Sequence, residues 1–355
     1  MTGGWLEYAI VFVASALLCT LFVPIAIRLS WKLDMLDRPG GHKSHESPIP
    51  YLGGVAILVA FTIAVLLEST VRPSLGGRSE LRIILVTAVV LAVVGLFDDL
   101  KRLPAWPRLV VEVASGLVVW NLGVGVTLTG VTWVDLALTV FWVVGITNAF
   151  NLLDNMDGLA AGLALIACAT YFAVAVSNSQ FLVASLAAGL AGCTVGFLRT
   201  NRYPARIHMG DGGALFLGFL VSYLGLKLKV SGDGYQTFLV PVLVCAIAIL
   251  DTTLVTVARF MSGRSPFQGG QDHISHRLVS LGLPVPVVVG LIYSAAASVS
   301  VLSFVCSRID PISVWIIGGL VGLGLSAAGV LLWAIPVYPE SQRPRYSFTE
   351  QQPAE

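Results

Sequence analysis

The chain has 355 residues, 56% of them hydrophobic and 12% charged, with a net charge of +1 and a mean hydropathy of +0.85. Soluble domains carry about 25% charged residues, so this composition excludes a soluble globular protein and predicts a polytopic membrane protein. Cys19, Cys168, Cys193, Cys245 and Cys306 all fall in apolar segments without a CxxC pair, which excludes a disulfide framework or zinc site.

A helix needs about 17–25 apolar residues to cross a bilayer. Eleven such segments are predicted, at residues 8–29, 51–69, 81–97, 108–125, 134–153, 158–177, 180–198, 212–229, 237–258, 284–306 and 312–337. The first lacks a basic n-region and an Ala-x-Ala-like cleavage site, and reads as a retained helix. The expected fold is all-α, one integral-membrane domain over residues 1–337, followed by a polar, Pro-containing and disordered tail over 338–355. No internal repeat is evident, which weakens a transporter built from inverted repeats.

Only Arg72, Arg78, Arg82, Lys227, Lys229 and Arg308 fall in loops on one side of the predicted spans; every other Lys and Arg falls on the opposite side. The positive-inside rule makes that opposite side cytoplasmic. All the polar motifs lie there too, so a single cytoplasmic-face site is expected, in the inner or plasma membrane.

In chain order, the loop from Asp37 to Gly54 carries His42, Lys43 and His45, as phosphate-binding cations or as lipid-headgroup contacts. Asp98 and Asp99 close the third span, where they either mark a solvated helix end or manage metal and phosphate. Arg108 and Glu112 are spaced as an i,i+4 ion pair, and Arg108 equally suits a phosphate fork. Asn148, Asn151, Asp154 and Asp157 recur every third residue at the end of the fifth span, an oxygen-rich strip fit for a hard cation or a polar substrate. Arg206-Ile-His-Met-Gly-Asp-Gly-Gly213 opens the eighth span: a tight turn, or a place where backbone approaches a ligand. Asp251 lies deep in the ninth span, functional or hydrogen-bonded to a neighbouring helix. In Asp272-His-Ile-Ser-His-Arg277, two imidazoles and a guanidinium suit phosphate oxygens better than a metal.

A hard-metal site, phosphate-binding cations and a membrane plane together suit phosphoryl transfer from a soluble nucleotide to a lipid-borne acceptor. A transporter of an anionic substrate would want similar groups. At this point the chain resembles the polyprenyl-phosphate N-acetylhexosamine-1-phosphate transferase superfamily over roughly residues 8–337, nearest its undecaprenyl-phosphate GlcNAc-1-phosphate branch. The resemblance implies Mg²⁺ as cofactor, with Mn²⁺ as substitute. It implies UDP-N-acetylhexosamine, polyprenyl phosphate and membrane lipids as partners, no nucleic acid, and a homodimer as the assembly to test. The peptidoglycan translocase, phospho-MurNAc-pentapeptide transferase, is the alternative within the superfamily.

By that resemblance Asp98, Asp99, Arg108, His273, His276 and Arg277 are the expected catalytic groups. Asn151 and Asp211 match Mg²⁺-binding positions, Asn148, Asp154 and Asp157 fall in the nucleotide motif, and Lys43 and His208 are further substrate contacts. Several positions depart from the family pattern. Arg108 stands for a Lys, Glu112 for a Gln, Asn155 for a Gly and Ser275 for a central His. Tyr51 stands where Arg often follows Pro, and His208 replaces an aromatic that stacks on uracil.

Overall fold

The computed structural model describes residues 4–38, 47–71, 78–101, 103–230, 234–267 and 269–337. Lys43, with His42 and His45, and the expected tail over 338–355 lie outside the described residues. The rest is an all-α bundle. Its helices are α1 (Trp5–Lys32), α2 (Gly53–Val71), α3 (Arg78–Lys101), α4 (Ala105–Asn121), α5 (Thr132–Leu153), α6 (Leu159–Ser177), α7 (Phe181–Asn201), α8 (Gly210–Lys227), α9 (Gly234–Val244), α10 (Ala246–Met261), α11 (Ile274–Ser280), α12 (Val285–Cys306) and α13 (Pro311–Trp333). Two short strands, β1 (Leu36–Asp37) and β2 (Ile49–Pro50), pair antiparallel between α1 and α2.

Every predicted span is helical, but the count of membrane crossings differs. Among the described residues eight helices are long and apolar enough to cross a bilayer, or nine if α9 and α10 form one span broken by a 71° bend. Pro241, which lacks an amide hydrogen, precedes the break at Cys245. The remaining difference lies in α4, only 17 residues long, and α8, with Asp211 and Lys227 near its ends. From Gly212 to Leu226 every residue of α8 is buried. Its apolar character serves the centre of the bundle, where α2, α3, α5 and α6 pack around it.

Lipid tails are as apolar as leucine, so helices in a membrane associate through close packing of small residues. A Cβ on Gly192 of α7 would stand 2.2 Å from the Phe12 carbonyl oxygen of α1, and one on Gly54 of α2 would stand 2.2 Å from Cα of Gly213 in α8. Likewise, a Cβ on Gly95 of α3 would meet the Asp211 backbone at 2.6 Å. The glycines around Asp211 thus let α2 and α3 close on the start of α8. The five cysteines are free and buried, as expected.

Among the described residues, Asp98, Asp99, Asp154, Asp157 and Asp211 gather with His208, His273 and His276 at one end of this bundle. At the other end Glu80 accepts hydrogen bonds from Tyr223 (2.8 Å) and Lys227 (2.6 Å), clamping the start of α3 to the end of α8.

Candidate active site

The fifth span ends in a turn that the rest of the chain holds from several sides. Gly158 takes φ +79°, a left-handed conformation suited to glycine. Its N–H donates to Asn201 Oδ1 (3.1 Å) and its carbonyl accepts from the Tyr293 hydroxyl (2.6 Å). Asp157 accepts from the Ala205 N–H (2.8 Å) and lies 3.6 Å from His208 Nε2, whose Nδ1 is 3.5 Å from Asp37. The backbone of His208 pairs with β2 and α2, donating to the Pro50 carbonyl (2.7 Å) and accepting from Gly53 (3.1 Å). His208 is therefore fixed at the rim of the acid strip, between two carboxylates.

Within the strip, Asn151 Nδ2 donates to Asp211 Oδ1 at 2.7 Å, joining α5 to α8. Asp99 accepts from the N–H groups of Asp211 (3.1 Å) and Gly212 (3.4 Å), two donors that a helix start leaves unpaired. Gly210 precedes them at φ +72°, where a Cβ would come 2.7 Å from Asp99 Oδ2. Asp98 instead binds the Leu103 N–H (2.7 Å) and Arg108 (3.0 Å), closing the turn between α3 and α4. Arg108 is the cation of this cluster, with Glu112 at 3.6 Å and Asp211 at 3.7 Å as its other neighbours.

Glu112 is fully buried and bonded to Asn148, whose amide also donates to the Val144 carbonyl (2.9 Å). The amide donors of Asn148 hold Glu112 under Arg108. Burial pushes Asp154 up to about 7, helped by Asp211 and Asp157 and opposed by His208.

The histidine-bearing loop is built on buried charge. Asp272 accepts from Arg259 (3.2 Å) and Arg264 (2.6 Å); burial pushes its carboxyl up, but the two guanidiniums outweigh it and hold it below the usual range. Asp251 takes His273 Nδ1 at 2.8 Å and the Ile274 N–H at 2.7 Å, so one carboxylate both starts α11 and orients an imidazole. Of the two roles open to Asp251, the structure realises the hydrogen bond between elements, and that bond aims an expected catalytic group. His276 packs edge-on to His273, with ring centroids 6.1 Å apart. Burial and the neighbouring His273 pull it down to about 4.

Arg277 is held by backbone carbonyls. Its guanidinium donates to the carbonyls of Asp272 (2.9 Å), Leu332 (3.1 Å), Trp333 (3.2 Å) and Ile335 (2.8 Å). The side chain is buried against the end of α13, where unpaired helix-terminal carbonyls attract a cation. It anchors the loop to the end of α13.

Among the described residues no three His, Cys, Asp and Glu side chains converge tightly enough to hold a metal alone. The donor set is nonetheless that of a hard cation: Asp211 and Asn151 are in contact, and Asp99 and Asp154 lie close enough to perturb one another. Mg²⁺ commonly relies on one or two carboxylates, completing its shell with water and substrate phosphate.

The pattern of glycosyl transferase family 4 matches residues 81–229. The chain is 31% identical over 311 residues to the probable undecaprenyl-phosphate N-acetylglucosaminyl 1-phosphate transferase of Bacillus subtilis, across 83% of this chain and 85% of that protein. It is 29% identical over 323 residues to the decaprenyl-phosphate N-acetylglucosaminephosphotransferase of Mycobacterium leprae, across 81% and 80%. It is also 30% identical over 297 residues to the phospho-N-acetylmuramoyl-pentapeptide-transferase of Geobacillus kaustophilus, across 76% and 88%.

Proposed function

Because this chain belongs to glycosyl transferase family 4, we propose that it transfers N-acetylhexosamine-1-phosphate, GlcNAc-1-phosphate above all, from a UDP-sugar to polyprenyl phosphate. The products are a polyprenyl-diphospho-sugar and UMP. The observation that carries this reading is the Asn151–Asp211 contact with Arg108 beside it: oxygen donors and one guanidinium converge where α3, α4, α5 and α8 meet.

A lipid-phosphate oxygen attacks the sugar-bearing phosphorus; the bond to the UMP oxygen breaks, and UMP leaves. Mg²⁺ held by Asp211 and Asn151 would neutralise charge on the diphosphate. Arg108 places a guanidinium beside the same charge. Asp99 is the carboxylate assigned to accept a proton from the acceptor phosphate, while Asp98 positions Arg108. Asp251 occupies His273 Nδ1 and leaves Nε2 for a phosphate oxygen. Asp154, Asp157 and His208 form the nucleotide side of the site.

Purified protein given a panel of UDP-sugars and polyprenyl phosphate decides the reading. UMP release only when the lipid phosphate is present, with UDP-GlcNAc preferred over UDP-MurNAc-pentapeptide, is the expected result. Transport without UMP release would overturn it.

Asp251→Asn should lower turnover by about 10-fold or more, roughly 1.4 kcal/mol, with little change in the Michaelis constant for polyprenyl phosphate. Equal loss in every kinetic constant would reduce Asp251 to a folding role.

The site is assigned to the cytoplasmic face of the inner or plasma membrane, on the strength of the Lys and Arg bias of its loops. Cysteine placed at Arg202 or Arg264 should resist a membrane-impermeant thiol reagent in intact cells. Labelling from outside would reverse the assignment.

A further inference from the structure

Two of the departures from the family pattern meet in space. Asn155 and Ser275 are 120 residues apart, and Ser275 Oγ donates to Asn155 Oδ1 at 2.6 Å. The amide orientation is fixed independently, because Asn155 Nδ2 donates to the Leu152 carbonyl at 2.7 Å, closing the last turn of α5. Ser275 is 1% exposed, so its hydroxyl has little water to fall back on. Asn155 sits between Asp154 and Asp157 on the nucleotide side, and Ser275 sits between His273 and His276 at the start of α11. The bond therefore ties the acid-bearing turn to the imidazole-bearing helix.

We propose that Asn155 and Ser275 form a positioning latch that sets the spacing between the acid turn and the two imidazoles, each residue compensating for the other. A glycine at 155 would leave the Ser275 hydroxyl without this partner. A histidine at 275 would set an imidazole ring against Asn155, whose Oδ1 already lies 2.6 Å from the Ser275 hydroxyl. One side of the gap is thus long and the other short, where the usual pair has the reverse. The latch matters for chemistry because groups that grip one diphosphate from two sides must hold their separation. A misplacement of about 1 Å can cost about 100-fold in rate.

This inference rests on the transferase reading, and its test separates the two. The full chain is purified as wild type, N155G, S275H, N155G/S275H, S275A and S275T. UMP release is measured against UDP-GlcNAc and polyprenyl phosphate, alongside thermal unfolding. N155G and S275H should each lower kcat by about 10-fold, and the double variant should return to within about 3-fold of wild type, the signature of coupled sites. S275T keeps the hydroxyl and should stay within about 3-fold of wild type, while S275A should lose about 10-fold.

Losses that multiply in the double variant would overturn the latch, as would S275A matching wild type. Recovery of unfolding temperature without recovery of kcat would make the bond structural and equally overturn a positioning role. If N155G or S275H does not fold, the comparison of S275A with S275T decides alone. No UMP from the wild-type protein would remove the transferase reading and the latch with it.

Discussion

Asp211→Asn should lower sugar-phosphate transfer by about 1,000-fold, roughly 4 kcal/mol of transition-state stabilisation, while the protein remains folded. An amide is nearly isosteric with the carboxylate and can still meet Asn151, now 2.7 Å away, and the start of α8 keeps its cap from Asp99. What disappears is the negative charge available to a divalent cation. Excess EDTA should therefore reproduce the loss in the unsubstituted protein, and added Mg²⁺ should reverse it. Full turnover in EDTA would remove the metal from the scheme, and a large drop in unfolding temperature in Asp211→Asn would reassign the carboxylate to structure.

Arg108→Ala should affect both stability and rate. Its guanidinium faces Asp98, Glu112 and Asp211, and Glu112 is fully buried. Removing one partner from a buried ionic cluster costs about 3–5 kcal/mol, so the variant should unfold at a clearly lower temperature. Turnover should fall by at least about 100-fold. The resemblance implies Lys and Gln where this chain has Arg and Glu, and Arg108 and Glu112 are in direct contact here. Lysine lacks the fork that reaches three carboxylates, and Gln removes one of them. Arg108→Lys should therefore be impaired, and Arg108→Lys/Glu112→Gln should recover part of the lost stability in a thermal scan. No recovery would make the two positions independent.

Helical segments were legible because length and hydropathy alone demand them. What composition could not separate was a helix apolar because it touches lipid from one apolar because it is enclosed by protein, as with α8. The acid strip was legible from spacing, and Asp98, Asp99, Arg108, Asn151, Asp154 and Asp211 do lie together. The direction a side chain takes was not legible. Arg277 belongs to a motif expected to bind phosphate, yet three of the four carbonyls that hold it lie 55 to 58 residues downstream. Asn148 has the same period as Asn151 but turns to Glu112, 36 residues upstream. Asp251 was legible as an anomalous carboxylate, but its partner His273 lies 22 residues downstream, beyond the end of α10. Long-range pairing of this kind leaves no periodicity in the local sequence.

The anchoring of Arg277 has a consequence for handling the protein. Of the helices long enough to cross the bilayer, α13 is the least enclosed, with 6% of its apolar window buried, and would look dispensable to anyone trimming the chain. Its final carbonyls nevertheless form the seat of the helix that carries His276. A truncation before Leu332, or a rigid fusion partner abutting Pro336, would unseat that helix without touching a reacting group. A shortened protein that folds but does not turn over has lost its buttress rather than its chemistry.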